Sequence, residues 1–229
     1  MFREVKYQIH FLKSSIKTRN LTQILLWLHN LIGFYSFYRL GKRMQTSSNG
    51  LVILQKRPQV TKKIIDSYQL HSLKHDSFGY LYIRFMEDNG LDKEPARPPV
   101  SPLESEVTAY AKSRWRETHD YRHVLTGFST SLADEAIIAA FQFGNLPNSW
   151  SFLVMLIAPL LSWKDLNPFR QWFRMIEACR AGRNAVCLGS VDYEAEFATP
   201  LDQLRKALNI RDLSHLSSKC PAICPMGYD

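Results

Sequence analysis

Apolar side chains in this 229-residue chain recur at spacings of three and four rather than two, as at Leu25, Leu28, Ile32 and Tyr35. That period matches the α-helical turn, so each such segment carries an apolar stripe that must be buried against a neighbour. Strand signals are few. Leu51-Val-Ile-Leu54 follows the turn dipeptide Asn49-Gly50, and Tyr80-Leu-Tyr-Ile83 follows Gly79, but each run is four residues long and reads equally as a turn of helix. The expected fold class is all-α, a single-domain multi-helix bundle, and 45% apolar residues supply its core.

Punctuation along the chain divides it further. Pro95, Pro98, Pro99 and Pro102 predict an extended connection inside one domain, because proline has no N–H to give a helix interior. Ser101-Pro102-Leu103-Glu104 matches a capping box and predicts a long helix to about Leu125, ended by Gly127. Ser129, Thr130 and Ser131 offer caps for a second helix through Phe143, with Ser131 and Asp134 at capping-box spacing. Further helices are expected over 150–162, 167–182 and 199–209, and an irregular tail from Ser214. Three regions result: a basic, aromatic helical region (1–44), a main helical domain (45–210) and a C-terminal tail (211–229).

Charge separates the first region from the rest. Residues 1–65 hold twelve Lys/Arg against the single acid Glu4, whereas the whole chain carries only +8. An acid-free basic run interspersed with Trp27, Phe34, Tyr35, Phe37 and Tyr38 suits an anionic membrane surface; a solvated helical face is the alternative. No nucleic-acid-binding motif accompanies the charge, which argues against nucleic acid as a partner. The longest apolar stretch, Trp150 to Trp163, is fourteen residues, short of the roughly 20 a spanning helix needs, so peripheral attachment is expected rather than integral. Met1 to Asn20 lacks the apolar centre of a secretory signal, although its basic, Ser-containing character is compatible with an organelle transit segment. Cys179, Cys187, Cys220 and Cys224 show no zinc-ribbon spacing and are expected to be reduced thiols, in keeping with an intracellular compartment.

One cluster carries chemistry. On a helix, taking His119 as zero puts His123 at about 40° and Asp120 at about 100°, so two imidazoles and a carboxylate share a face. The zincin motif uses the same His spacing, but here Asp120 follows the first His and no third His stands at protease spacing, which disfavours a protease. Glu135 lies in the apolar run Glu135-Ala-Ile-Ile-Ala-Ala-Phe141, where an ionised carboxylate requires a partner, and a cation would supply one. The turn around Gly127 is long enough to bring it back to the His pair. Two His and two carboxylates suit zinc first, with iron or manganese feasible and magnesium favoured only if a bound phosphate shares it. Arg116, at about 60° on this face, can anchor an anionic group of a substrate beside the metal or form an i, i+4 salt bridge to Asp120. His75-Asp76 is a second His-Asp pair without the remaining ligands of a phosphohydrolase. No phosphate-binding loop, dinucleotide fingerprint or nucleophile elbow occurs.

The segment Arg114-Trp-Arg-Glu-Thr-His-Asp-Tyr-Arg-His123, followed by eleven residues and Glu135, resembles the ubiquinone (coenzyme Q) biosynthesis family formed by the fourth protein of the Coq series. The signature H-D-x-x-H-x(11)-E is complete. Resemblance extends through Asn49-Gly50, Arg57-Pro58, Phe78-Gly79-Tyr80 and the Tyr193-Glu194 to Asn209 region, covering roughly residues 45 to 210. It implies an all-α fold with a hydrophobic lipid cavity near a divalent metal, peripheral membrane attachment and work among other quinone-biosynthesis proteins. It also implies that His119, Asp120, His123 and Glu135 hold the metal. The implied activity is oxidative decarboxylation at C1 of a polyprenylated hydroxybenzoate, a lyase reaction; the alternative is a non-catalytic polyprenyl-lipid-binding scaffold. Localisation would be the matrix side of the mitochondrial inner membrane in a eukaryote, or the cytoplasmic membrane face in a bacterium. Homo-oligomerisation stays open. Asp134 stands where family members usually have Gly, placing a second carboxylate beside Glu135 that could compete for the metal.

Overall fold

The computed structural model describes residues 21–91, 104–161 and 167–217. Its helices are α1 (Leu21–Thr46), α2 (Ser48–Lys56), α3 (Lys62–Ser67), α4 (Phe78–Asp88), α5 (Glu106–Glu117), α6 (His119–Thr126), α7 (Leu132–Asn145), α8 (Ser149–Leu161), α9 (Pro168–Asn184) and α10 (Leu201–Ala207). Short 3-10 turns join several of them, and among the described residues the only β feature is an isolated bridge between Ser77 and Pro200. The fold is all-α, as the apolar period requires. The division drawn at residue 44 falls inside α1; residues 1–20, the proline-rich stretch 92–103, and 218–229 with Cys220 and Cys224 lie outside the described residues.

Both segments poised between strand and helix are helical. Ser47 caps α2 by accepting from Gly50 N at 3.1 Å, and Ser77 caps α4 by accepting from Tyr80 N at 3.4 Å. Phe78, Tyr82, Phe85 and Met86 then fall on one buried face of α4. That face meets Tyr121 of α6 and the turn Tyr193–Glu196: the Tyr82 and Tyr121 rings lie 4.6 Å apart edge to face, and Tyr121 and Tyr193 lie 5.2 Å apart. The metal-motif helix is thereby fixed from behind by an aromatic core.

The long helix expected from Pro102 to Leu125 is corrected at two points. It starts at Glu106, capped by Ser105, which accepts from Thr108 N at 3.2 Å. Glu104, expected inside the first turn, precedes the helix and forms a buried pair with Lys112 at 2.8 Å. The helix then breaks at Thr118 (φ −92°, ψ 16°), separating α5 from α6. There the Thr118 hydroxyl donates to the Arg114 carbonyl at 2.8 Å. The fully buried Arg122 reaches back to donate to Thr118 Oγ1 at 3.0 Å and to the Trp115 carbonyl at 2.5 Å, so the carbonyls freed by the break are satisfied internally.

Helices α7 and α9 cross at backbone contact. A Cβ on Gly144 would collide with the Cys179 carbonyl, and one on Gly182 with the Phe141 carbonyl. Asn145 closes this crossing by donating to Gly182 O at 3.0 Å and Val186 O at 2.7 Å while accepting from Leu188 N at 3.1 Å. No helix among the described residues is long and apolar enough to cross a membrane.

Candidate metal centre

The break at Thr118 makes His119 the first residue of α6, and Gly127 (φ 78°) ends that helix, its N–H donating to the His123 carbonyl at 2.8 Å. The chain turns through Phe128 to Thr130 and re-enters helix at α7, where Ser131 accepts from Asp134 N at 3.3 Å. This αα-hairpin returns Glu135 to the His pair. Its Oε1 lies 3.3 Å from His123 Nε2 and its Oε2 3.6 Å from His119 Nε2. His119, Asp120 and His123 each offer a ligand atom within 4.8 Å of the others.

The donor set fits a divalent ion. The two imidazole Nε2 atoms are 3.1 Å apart. A zinc-type ion about 2.05 Å from each nitrogen would set them roughly 2.9 to 3.3 Å apart in cis-octahedral or tetrahedral geometry. His123 Nδ1 lies 3.2 Å from the Phe128 carbonyl, to which it donates, leaving the Nε2 lone pair free to coordinate. His119 Nδ1 lies 2.8 Å from the Gln142 side-chain amide, which by turning over can accept from Nδ1–H and so fix the same tautomer. Asp120 makes no hydrogen bond or ion pair among the described residues.

Protonation follows from burial and pairing. Burial works to raise the Glu135 carboxyl, but hydrogen bonds and charge from His119 and His123 outweigh it and hold it down at about 2. Burial lowers the His119 imidazole. Near neutral pH His119 is therefore neutral and Glu135 ionised, and a cation bound at Nε2 would displace the proton that the imidazole donates to Glu135.

Beside this cluster lies a cavity of about 360 Å³. Lys112, Arg116, His119, Asp120, Arg122 and Glu135 line it together with the apolar Phe37, Trp115, Ile138, Trp150 and Val154 and the polar Gln142, Asn148 and Ser151. Arg116 is exposed at this cavity and forms no salt bridge with Asp120 among the described residues. Asp134 is occupied elsewhere: its Oδ2 accepts from Ser129 N at 2.8 Å, Ser129 Oγ at 2.7 Å and Ser217 Oγ at 2.5 Å, so it ties the C-terminal segment to the start of α7. His71 pairs with Glu87 at 3.0 Å and His75 stacks on Tyr80, apart from the cluster.

Two further residues, Gln142 and Arg122, contribute to the site or its support. Gln142 stands seven residues after Glu135, two helical turns along the same face, and that spacing was the available signal. Arg122, buried against the Trp115 ring at 4.4 Å, had no local signal, because its partners lie in the preceding helix.

A sequence profile for the family described as coenzyme Q (ubiquinone) biosynthesis protein Coq4 matches residues 12–214. The chain is 32% identical over 182 residues to the mitochondrial ubiquinone biosynthesis protein COQ4 homolog of Nematostella vectensis, covering 78% of this chain and 86% of that protein. It is 30% identical over 187 residues to the Bos taurus homolog, covering 76% of this chain and 65% of that one. Against the cattle protein, then, the chain spans just under two thirds of the length. In three dimensions it resembles a crystal structure of a Nostoc punctiforme protein ascribed to ubiquinone biosynthesis, with TM-score 0.63, 18% identity, and coverage of 91% of this chain and 97% of that one. At that identity the likeness concerns the fold.

Proposed function

Because the chain belongs to the Coq4 family of coenzyme Q (ubiquinone) biosynthesis proteins, we propose that it is a membrane-peripheral metalloprotein that binds a polyprenylated hydroxybenzoate and removes its C1 carboxylate oxidatively. The observation that supports this reading is the cluster of His119, Asp120 and His123, with Glu135 beside both imidazoles, next to a cavity lined by charged and apolar side chains alike. A molecule with an anionic aromatic head and a hydrocarbon tail can use both kinds of lining.

The four residues would hold the ion, zinc by donor chemistry, with iron, manganese or magnesium as alternatives. When bound, such an ion supplies Lewis acidity toward an oxygen of the substrate or co-substrate. The protein's own groups do the remaining work. Arg116 holds the leaving carboxylate as a fork of N–H donors. Trp115, Ile138 and Val154 pack against the hydrocarbon and exclude water from the ring. His123, held by the Phe128 carbonyl, and His119, held by Gln142, keep their orientation without rearrangement. In the net change the C1–carboxylate bond breaks, a C–O bond forms and carbon dioxide leaves. Dioxygen supplies the oxygen atom, and an external two-electron donor reduces its second atom to water.

Purified full-length protein should carry about one equivalent of divalent metal by elemental analysis and retain a prenyl lipid in native mass spectra. With a prenylated hydroxybenzoate, dioxygen and a reductant it should release carbon dioxide, and His123→Ala should lose both metal and turnover. Turnover unaffected by His123→Ala would sink the metal-centred reading. Copurified lipid and metal with no conversion would instead establish a scaffold that organises other quinone-biosynthesis proteins.

A further inference from the structure

Helices α8 and α9 pack on each other and on α7, and both turn large apolar side chains outward. On α8, Phe152, Leu156 and Ile157 are exposed; on α9, Phe169, Trp172, Phe173 and Ile176 recur at helical spacing, with Phe169 and Phe173 75% and 74% exposed. So many large apolar groups turned to water on one hairpin mark an interaction surface.

The charges nearby identify the partner. Helix α8 contains no charged residue, and α9 has Arg170, Arg174, Arg180 and Arg183 against the single acid Glu177. That acid is engaged by Arg211 and His215, each at 3.3 Å. On α1, which also packs on α8, exposed Tyr35 and Tyr38 lie beneath Arg39 and Lys42 at 5.8 Å each. A second copy of the chain docked here would set arginine against arginine, whereas an anionic bilayer answers both the apolar stripes and the basic groups.

The geometry points to the α8–α9 hairpin, flanked by Tyr35–Lys42 of α1, as the surface that rests on an anionic lipid bilayer, with Phe152, Leu156, Phe169, Trp172, Phe173 and Ile176 at the acyl boundary. This rests on the reading of the chain as membrane-peripheral and specifies how the cavity is supplied. Trp150, Ser151 and Val154, also on α8, line that cavity. Helix α8 is thus the wall between bilayer and site, and a prenylated aromatic can pass from the membrane around it without its tail crossing water.

Flotation of the full-length protein with phosphatidylcholine vesicles, with and without phosphatidylglycerol, tests the assignment. Wild type should float on the anionic vesicles, and raised salt should weaken binding. Trp172→Glu combined with Phe173→Glu should lower the bound fraction about tenfold or more with an unchanged melting temperature. If that variant loses its cooperative melt, Arg170→Glu with Arg180→Glu replaces it and should abolish the preference for anionic vesicles. Undiminished flotation of a folded variant overturns this face while leaving membrane attachment intact. Failure of wild type to float on either vesicle overturns the membrane reading together with the face assigned to it. A wild-type dimer that the first variant converts to monomer, with vesicle binding unchanged, overturns the assignment in favour of self-association.

Discussion

At His119 and Glu135 the direction of each shift fixes how the protein responds to acid. Both groups titrate lower in the folded chain, so each contributes stability above its unfolded value and loses it as pH falls toward its folded one. For His119 the loss begins below 6.5; for Glu135 it begins below 4.5 and runs toward about 2. The melting temperature of the metal-free protein should therefore decline as pH drops from 7, and Glu135→Gln should flatten the part below 4.5, as read by calorimetry across a pH series. Metal affinity should weaken over the upper part of that range, since protons compete for the imidazoles. Gln142→Leu removes the partner of His119 Nδ1 without touching a ligand and should weaken metal binding about 10- to 100-fold in chelator competition; unchanged affinity would deny Gln142 an orienting role. His119, Asp120 and His123 were legible in the sequence because one helical turn places them together. Gln142 was not, because it meets His119 only after the hairpin has closed.

Between elements, backbone contact decides how α7 lies on α9. Gly182→Ala sets a methyl against the Phe141 carbonyl, and neither backbone can yield without opening the crossing closed by Asn145. The expected cost is about 1 to 3 kcal/mol, visible as a lower urea midpoint at unchanged slope. The helix ends show which local signals are sufficient. Gly127 is legible because its own φ angle ends the helix, and of the three candidate caps Ser129, Thr130 and Ser131 it is the Ser131 hydroxyl that caps α7. The start of α5 is not legible from the Ser101 capping box, because Ser105 is the cap and Glu104 is drawn instead into a buried pair with Lys112, eight residues away. The break at Thr118 was invisible because the group that stabilises it, Arg122, acts from the next helix. Burial drives that guanidinium down to about 10, so it carries its charge at neutral pH only against a desolvation cost that its hydrogen bonds and the Trp115 ring offset.

Over the whole molecule, the apolar period announced the helices without specifying their partners, since any two stripes of similar width can pack. Long-range polar contacts resolve that ambiguity. The buried Arg114 forms a bidentate pair with Glu194 at 2.6 and 2.7 Å, locking α5 to the turn Tyr193–Glu196, eighty residues later. Glu194→Gln, which leaves the guanidinium buried without its carboxylate, should cost about 3 to 5 kcal/mol in chemical denaturation. The segment expected to be an irregular tail makes a comparable long-range closure at its beginning. Leu213 is fully buried and Leu216 is 5% exposed, and the Ser217 hydroxyl donates to Asp134 at the start of α7. Ending the chain at Asp212 should destabilise it by about 4 kcal/mol or more, because two leucines leave the core. Ser217→Ala, which removes one hydrogen bond to Asp134 and leaves those from Ser129 in place, should cost only about 1 kcal/mol. The comparison isolates what the segment does for the metal centre. Asp134 adjoins Glu135, so if the tail sets the position of that carboxylate, truncation should weaken metal binding at temperatures where the shortened chain is still fully folded. Equal metal affinity of the truncated and full-length proteins, measured well below both melting points, would confine its role to core packing.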